Sequence, residues 1–228
     1  RYDFFLQLLC EHIEISVLAS VIATIIGGLL GIFIYEYKRL AVPVMVVVNF
    51  LYTIPSISML GLLLYVSGVG NTTAIIALVI YALLPMVRNT FTGLNQIDRA
   101  MCEAGIALGL TRIQRLWNIE IPLAMPTIMA GIRTMLVMTI ALTGIASFIG
   151  AGGLGVAIYR GITTNQSALT IAGSLLIALL AITVDALFSL GERVTRISPH
   201  MKRYTIIFVS IMTIIAMGIG GWAMYCRH

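Results

Sequence analysis

Two charged side chains lie well inside apolar runs, Arg133 and Asp185. Ionisable groups inside a membrane are costly to keep, so each is a functional candidate with an expected partner. Arg133 follows Pro122 by eleven residues, about 16 Å of helical rise. Asp185 sits a few residues from the end of its run. Comparable depths favour a structural ion pair between two helices, with contact to a transported solute as the alternative. A second group is polar but neutral: Asn49, Thr53, Ser56, Ser58 and Tyr81 accompany Pro55 and Pro85. Proline removes a backbone donor, and in a membrane the freed carbonyl needs another partner. These side chains can line a translocation path or satisfy those carbonyls.

Other chemistry is absent from the pattern. His12 and His200 fall near the ends of apolar runs, and neither they nor His228 show ligand spacing, so no metal is expected. Cys10, Cys102 and Cys226 stand too far apart for a metal or disulfide framework. Gly150, Gly152, Gly153 and Gly155 form a glycine-rich run without the lysine of a phosphate loop. A gate-lining or reentrant loop is the alternative use, with Arg160 beside it facing a partner. No nucleophile, base and orienter are placed together, so the chain is not expected to be an enzyme.

The elements that carry these residues are set by composition. Of 228 residues, 60% are hydrophobic and 10% charged, with a mean hydropathy of +1.03. A soluble domain carries about 25% charged residues, so lipid is the expected solvent and the fold is expected to be all-α and polytopic. Six runs are long enough to cross a bilayer: 15–35, 42–66, 72–91, 122–147, 168–190 and 204–225. Residues 1–14 mix Phe and Leu with Asp, Glu and His and suggest an interfacial amphipathic lead-in rather than a span. Gly27 and Gly31 form a small-xxx-small pair suited to close helix packing. The connections 92–121 and 148–167 are long, which marks them as functional candidates.

Lys and Arg orient the chain. Ten fall on one side (Lys38, Arg39, Arg88, Arg99, Arg112, Arg115, Arg193, Arg196, Lys202 and Arg203), against Arg1, Arg160 and Arg227 on the other. The positive-inside rule places 92–121 in the cytoplasm and both chain ends outside. Within this connection, Ala104, Gly105, Ala107 and Gly109 leave a short helix nearly bare for a partner's close approach. Glu103 is expected to complement that helix's N-terminus, Gly109 to end it, and Thr111 to cap the next. Pro122 is expected to restart the chain as the first turn of the fourth span. The alternative is a capped hairpin on the membrane surface with no partner.

The spaced pattern Glu103-Ala104-Gly105-x3-Gly109-x9-Ile119-x-Ile121-Pro122 resembles the EAA loop of ABC importer permeases, with Gly105 and Ile121 in place of Ala and Leu. Residues 52–63 and 149–155 resemble osmoprotectant permeases for glycine betaine, choline and carnitine; methionine-type permeases share a run like the latter. The resemblance implies a type I importer core of five spans at 15–194, working as a homodimer in the bacterial inner membrane. It also implies two cytoplasmic ATPases that bind ATP and Mg and seat on the loop, driving alternating access. The sixth span, with its linker at 195–228, departs from the pattern. The chain, opening on Arg1 rather than Met, is expected to be a segment that continues into an extracytoplasmic substrate-binding domain. A simple added anchor is the alternative there. Ergothioneine or an amino acid is the alternative cargo, and an ion-coupled transporter or a membrane scaffold the alternative class.

Overall fold

A computed structural model describes residues 2–197, and their regular structure is entirely helical. The apolar runs have no water to satisfy backbone groups, so helices are the economical way to cross lipid. The described residues contain four helices long and apolar enough to span a membrane, or five if one bent pair counts as a span. The expected sixth span lies outside the described residues, as do His200 and His228.

Helix α1 runs without a break over Tyr2–Glu36. The lead-in expected at 1–14 continues into the first span without a break, since nothing between Glu14 and Ile15 stops the helix. Helices α4 (Asn71–Asn95) and α7 (Ile121–Ala146) complete the centre of the bundle. Small residues let these backbones approach. A Cβ added to Gly27 would lie 2.8 Å from Cβ of Met86, and one on Gly31 would lie 2.6 Å from Cβ of Thr90. On the other side, a Cβ on Gly131 would lie 2.5 Å from Cβ of Asn89. Ala23, Ala82, Met86, Ala124, Ile128 and Met135 fill the core between the three helices.

The second expected span is not one helix. It divides into α2 (Ala41–Thr53) and α3 (Ser56–Ser67), bent by 98°. Pro55 drives the break: the residue before proline is pushed out of the helical region, and Ile54 is extended at φ −66°, ψ 128°. The connection 148–167 is also more regular than expected, because α8 (Gly155–Thr163) forms within it. Helix α9 (Ser167–Ile197) packs against α7 and α8. Its outward side chains, Ile171, Leu175, Leu179 and Ile182, are apolar and exposed, as lipid permits.

The bundle has two distinct ends. One holds the start of α1, the start of α4 and the glycine-rich loop. The other holds Glu36, the turn Lys38–Leu40 and a helical hairpin built from α5 (Arg99–Ala107) and α6 (Arg112–Arg115).

Candidate functional site

The hairpin is assembled by local rules. Asp98 caps α5, its carboxylate accepting from the Ala100 amide at 2.9 Å. Glu103 is therefore not at the helix start, correcting the expectation; it lies one turn in and pairs with Arg99 at 3.1 Å on the surface. The reason is that Asp98 supplies the cap one turn earlier than the apolar pattern suggested. Gly109 ends α5 at φ +75°, a left-handed conformation that favours glycine. Thr111 then opens α6 through a capping box with Gln114, whose side chain accepts from the Thr111 amide at 2.9 Å.

Pro122 stands in the first turn of α7, as expected, but no break precedes it: the chain stays helical over Arg112–Ile149. A π turn at Leu116–Glu120 joins the two parts, with the Ile121 amide bonded to the Leu116 carbonyl. Proline lacks the amide that an α-helical ladder would use, and the looser turn just before it absorbs that loss. The hairpin is thus continuous with a membrane helix. Gly105 lets α5 lie against this segment: a Cβ there would meet Cδ1 of Ile119 at 2.8 Å. Ala104 and Ala107 stay exposed on the outer side.

Ion pairs lock the hairpin in place. Arg115 donates to Glu120 at 2.6 Å, and Glu120 is buried. A five-residue separation misses the usual i,i+4 pairing of an α-helix; the π turn brings the two into register. Cys102 of α5 approaches the same carboxylate, Sγ to Oε1 at 3.8 Å. Burial, and then the Glu120 charge, push the Cys102 thiol pKa up. Arg112 pairs with Glu36 at the end of α1. The sequence reading missed Glu120 and Glu36, because a π turn and a contact between distant helices leave no periodic signal. Around this scaffold, Met101, Ile106, Leu108, Ile113 and Trp117 expose apolar side chains, Leu108 at 79%. A rigid base with an apolar outer face is suited to docking another protein and transmitting its movement into α7.

The polar set around Pro55 divides. Tyr81 is buried and donates its hydroxyl to the Ile54 carbonyl, so it satisfies the backbone at the break. Thr53 donates to the Phe50 carbonyl at 2.7 Å. Asn49 donates to Met45 and accepts from Arg88 at 2.8 Å, which links α2 to α4. Pro85 lies inside α4, and the Asn89 side chain donates to its carbonyl at 2.8 Å. Ser58 is exposed and Ser56 half-buried at the start of α3, beside the bend. Arg133 and Asp185 meet across α7 and α9 at 2.6 Å.

At the opposite end the glycine loop is stitched to three helices. The Gly152 amide donates to Asn71 at 2.8 Å and the Gly153 amide to Glu11 at 3.2 Å. Gly150 and Gly153 take φ of +77° and +97°, and Gly155 packs against the backbone of Gly144. Arg160 stands over the Phe4 ring at 5.9 Å. His12 was expected at the interface without a role, yet it is buried, with Nε2 donating to the Ile140 carbonyl at 3.0 Å. Below it Ser16 meets Thr143 at 3.2 Å, forming a polar seam between α1 and α7. The signal was the run His12, Ser16, Ser20, Thr24, one polar residue per helical turn.

A family profile described as "Binding-protein-dependent transport system inner membrane component" matches residues 17–197. The chain belongs to this family. The permease is 43% identical over 201 residues to the Bacillus subtilis "Glycine betaine/carnitine/choline transport system permease protein OpuCD", covering 88% of this chain and 87% of that one. It is 44% identical over 180 residues to the Salmonella typhimurium "Osmoprotectant import permease protein OsmW", covering 77% and 84%. It is also 39% identical over 175 residues to the Helicobacter pylori "Ergothioneine transport permease/ergothioneine binding protein EgtU", covering 77% of this chain but only 32% of that one. A solved structure of the MetNI methionine ABC transporter in an inward-facing conformation matches with a TM-score of 0.75 at 20% identity, covering 83% and 95%. The fold is thus that of an ABC importer permease, with the π-linked hairpin between its third and fourth spans.

Proposed function

We propose that this permease forms the membrane pathway of an ATP-driven importer for small quaternary-ammonium osmolytes such as glycine betaine, choline or carnitine. The observation that carries the coupling half is the exposed apolar face of the α5–α6 hairpin, on a base continuous with α7. Two copies of the chain enclose the pathway, and each hairpin seats in one cytoplasmic ATPase that binds ATP and Mg. Closure of the ATPases brings the hairpins together and shifts the permease between inward- and outward-facing states by differential contacts. The segregation of Lys38, Arg39, Arg99, Arg112 and Arg115 at the hairpin end supports a cytoplasmic placement. The substrate half rests on the 43% and 44% identical relatives.

The EgtU relative favours a second reading of cargo and architecture. Its name joins permease and binding protein in one chain, and this permease matches about a third of it. In that reading an extracytoplasmic binding domain is fused after the sixth span, and a trimethylammonium betaine such as ergothioneine is the cargo.

The test is capture of a cognate ATPase by the permease, followed by uptake in proteoliposomes. The intact chain retains the ATPase, while variants altered at Glu103, or carrying Gly109→Val or Leu108→Asp, lose it and lose uptake. Equal capture by all of them removes the coupling role. Uptake of labelled betaine, choline, carnitine and ergothioneine by the coupled complex separates the cargo readings.

A further inference from the structure

We propose that the groove between the turn after α1 and the hairpin binds the phosphate of an anionic phospholipid. The groove has a volume of about 660 Å³ and is lined by Tyr35, Glu36, Lys38, Arg39, Arg112 and Arg115, among others. Two of its cations are already matched, Arg115 by Glu120 and Arg112 by Glu36. Lys38 and Arg39 are not: among the described residues neither has a carboxylate within ion-pair distance. Lys38 instead stands over the Tyr35 ring at 6.0 Å. Both are exposed at the groove and open to an anion, and a guanidinium fork beside an ammonium suits a phosphate.

The surroundings make that phosphate part of a lipid. The Lys38–Leu40 turn joins two helices whose outward side chains are apolar, with Phe33, Leu40, Val42 and Val46 all exposed. Tyr37 packs on Phe33 with ring centroids 5.0 Å apart, an aromatic pair of the sort found at membrane interfaces. Acyl chains have a surface to lie on, leading directly to the basic groove. A free phosphate would use only half of this arrangement. Juxtamembrane cations also draw anionic lipids through the surface potential. The site sits beside Arg112 at the root of the hairpin, so a bound headgroup would brace the coupling element against the bilayer.

The experiment measures thermal stability and retained lipid for the intact protein in detergent. It is supplied with phosphatidylglycerol, phosphatidylcholine or inorganic phosphate; native mass spectrometry counts bound lipid. Phosphatidylglycerol raises the melting temperature and stays bound, while phosphatidylcholine and inorganic phosphate do neither. Lys38→Gln combined with Arg39→Gln weakens phosphatidylglycerol binding by roughly thirtyfold; the charge-keeping pair Lys38→Arg and Arg39→Lys retains it. If the double neutral variant fails to fold, each single neutral variant carries the same expectation at about fivefold. Equal stabilisation by both lipids, a neutral variant with its lipid preference intact, or a shift reproduced by inorganic phosphate overturns the proposal. So does a neutral variant that keeps the lipid preference but no longer captures the ATPase, since an acidic protein surface would then be the occupant. ATPase capture failing with the lipid preference intact in the unaltered protein counts against the importer reading and leaves the lipid site standing.

Discussion

Arg133 grips Asp185 through two parallel hydrogen bonds, Nε to Oδ1 at 2.6 Å and a terminal nitrogen to Oδ2 at 2.7 Å, across 52 positions of chain. The contact joins α7, which carries the hairpin, to α9 on the outside of the bundle. Its planar fork is a geometry lysine does not reproduce.

Exchanging the charges tests this bond. Arg133→Asp or Asp185→Arg alone sets two like charges against each other where the pair now meets and lowers the yield of folded protein severalfold. The double exchange restores most of that yield, measured by monodisperse recovery in detergent. Loss of transport with Arg133 changes alone, and no rescue, would instead assign Arg133 to the solute.

Close helix packing gives a second, contrasting pair. Gly31→Ala forces a Cβ to within 2.6 Å of Thr90, and overpacking of this kind costs about 1–3 kcal/mol. Gly61 has nothing within 4 Å of its added Cβ, so Gly61→Ala is neutral or stabilising by up to about 1 kcal/mol through helix propensity. Thermal melts of the two variants are expected to move in opposite directions or differ clearly.

The Cys102 thiol predicts a pH profile. Alkylation proceeds through the thiolate, and burial with the Glu120 carboxylate disfavours that negative form. Alkylation of Cys102 is therefore half-maximal at a higher pH than for an ordinary exposed cysteine. Glu120→Gln removes one negative neighbour and moves the midpoint down. A midpoint unmoved by Glu120→Gln would separate the two residues.

Backbone conformation at Gly109 is separable from space. An added Cβ there meets nothing within 4 Å, but φ is +75°. Asparagine tolerates that region and a β-branched residue does not. Gly109→Asn is thus expected to keep the hairpin resistant to limited proteolysis, whereas Gly109→Val opens the Gly109–Thr111 turn to cleavage.

The spans and the hairpin were legible because each follows from neighbours in sequence. Apolar length predicts a crossing, Gly109 predicts a helix end, and Thr111 predicts a cap. Length alone misread 42–66, where the restriction imposed by Pro55 outweighed apolar continuity. Glu103 was misplaced because a cap at Asp98 lies outside the motif that drew attention. His12 went unread because its burial depends on α7, more than a hundred residues away.

The sequence by itself determined that this chain lives in lipid, which end is basic, and that a small-residue hairpin sits between the third and fourth spans. Those properties come from composition and local spacing. The tertiary structure alone decided that Glu120 seats Arg115, that Glu36 receives Arg112, and that among the described residues Lys38 and Arg39 have no carboxylate within ion-pair distance at the groove. Charge pairing depends on where distant helices meet and on a π turn that shifts register, and neither distance nor register is written in a linear pattern.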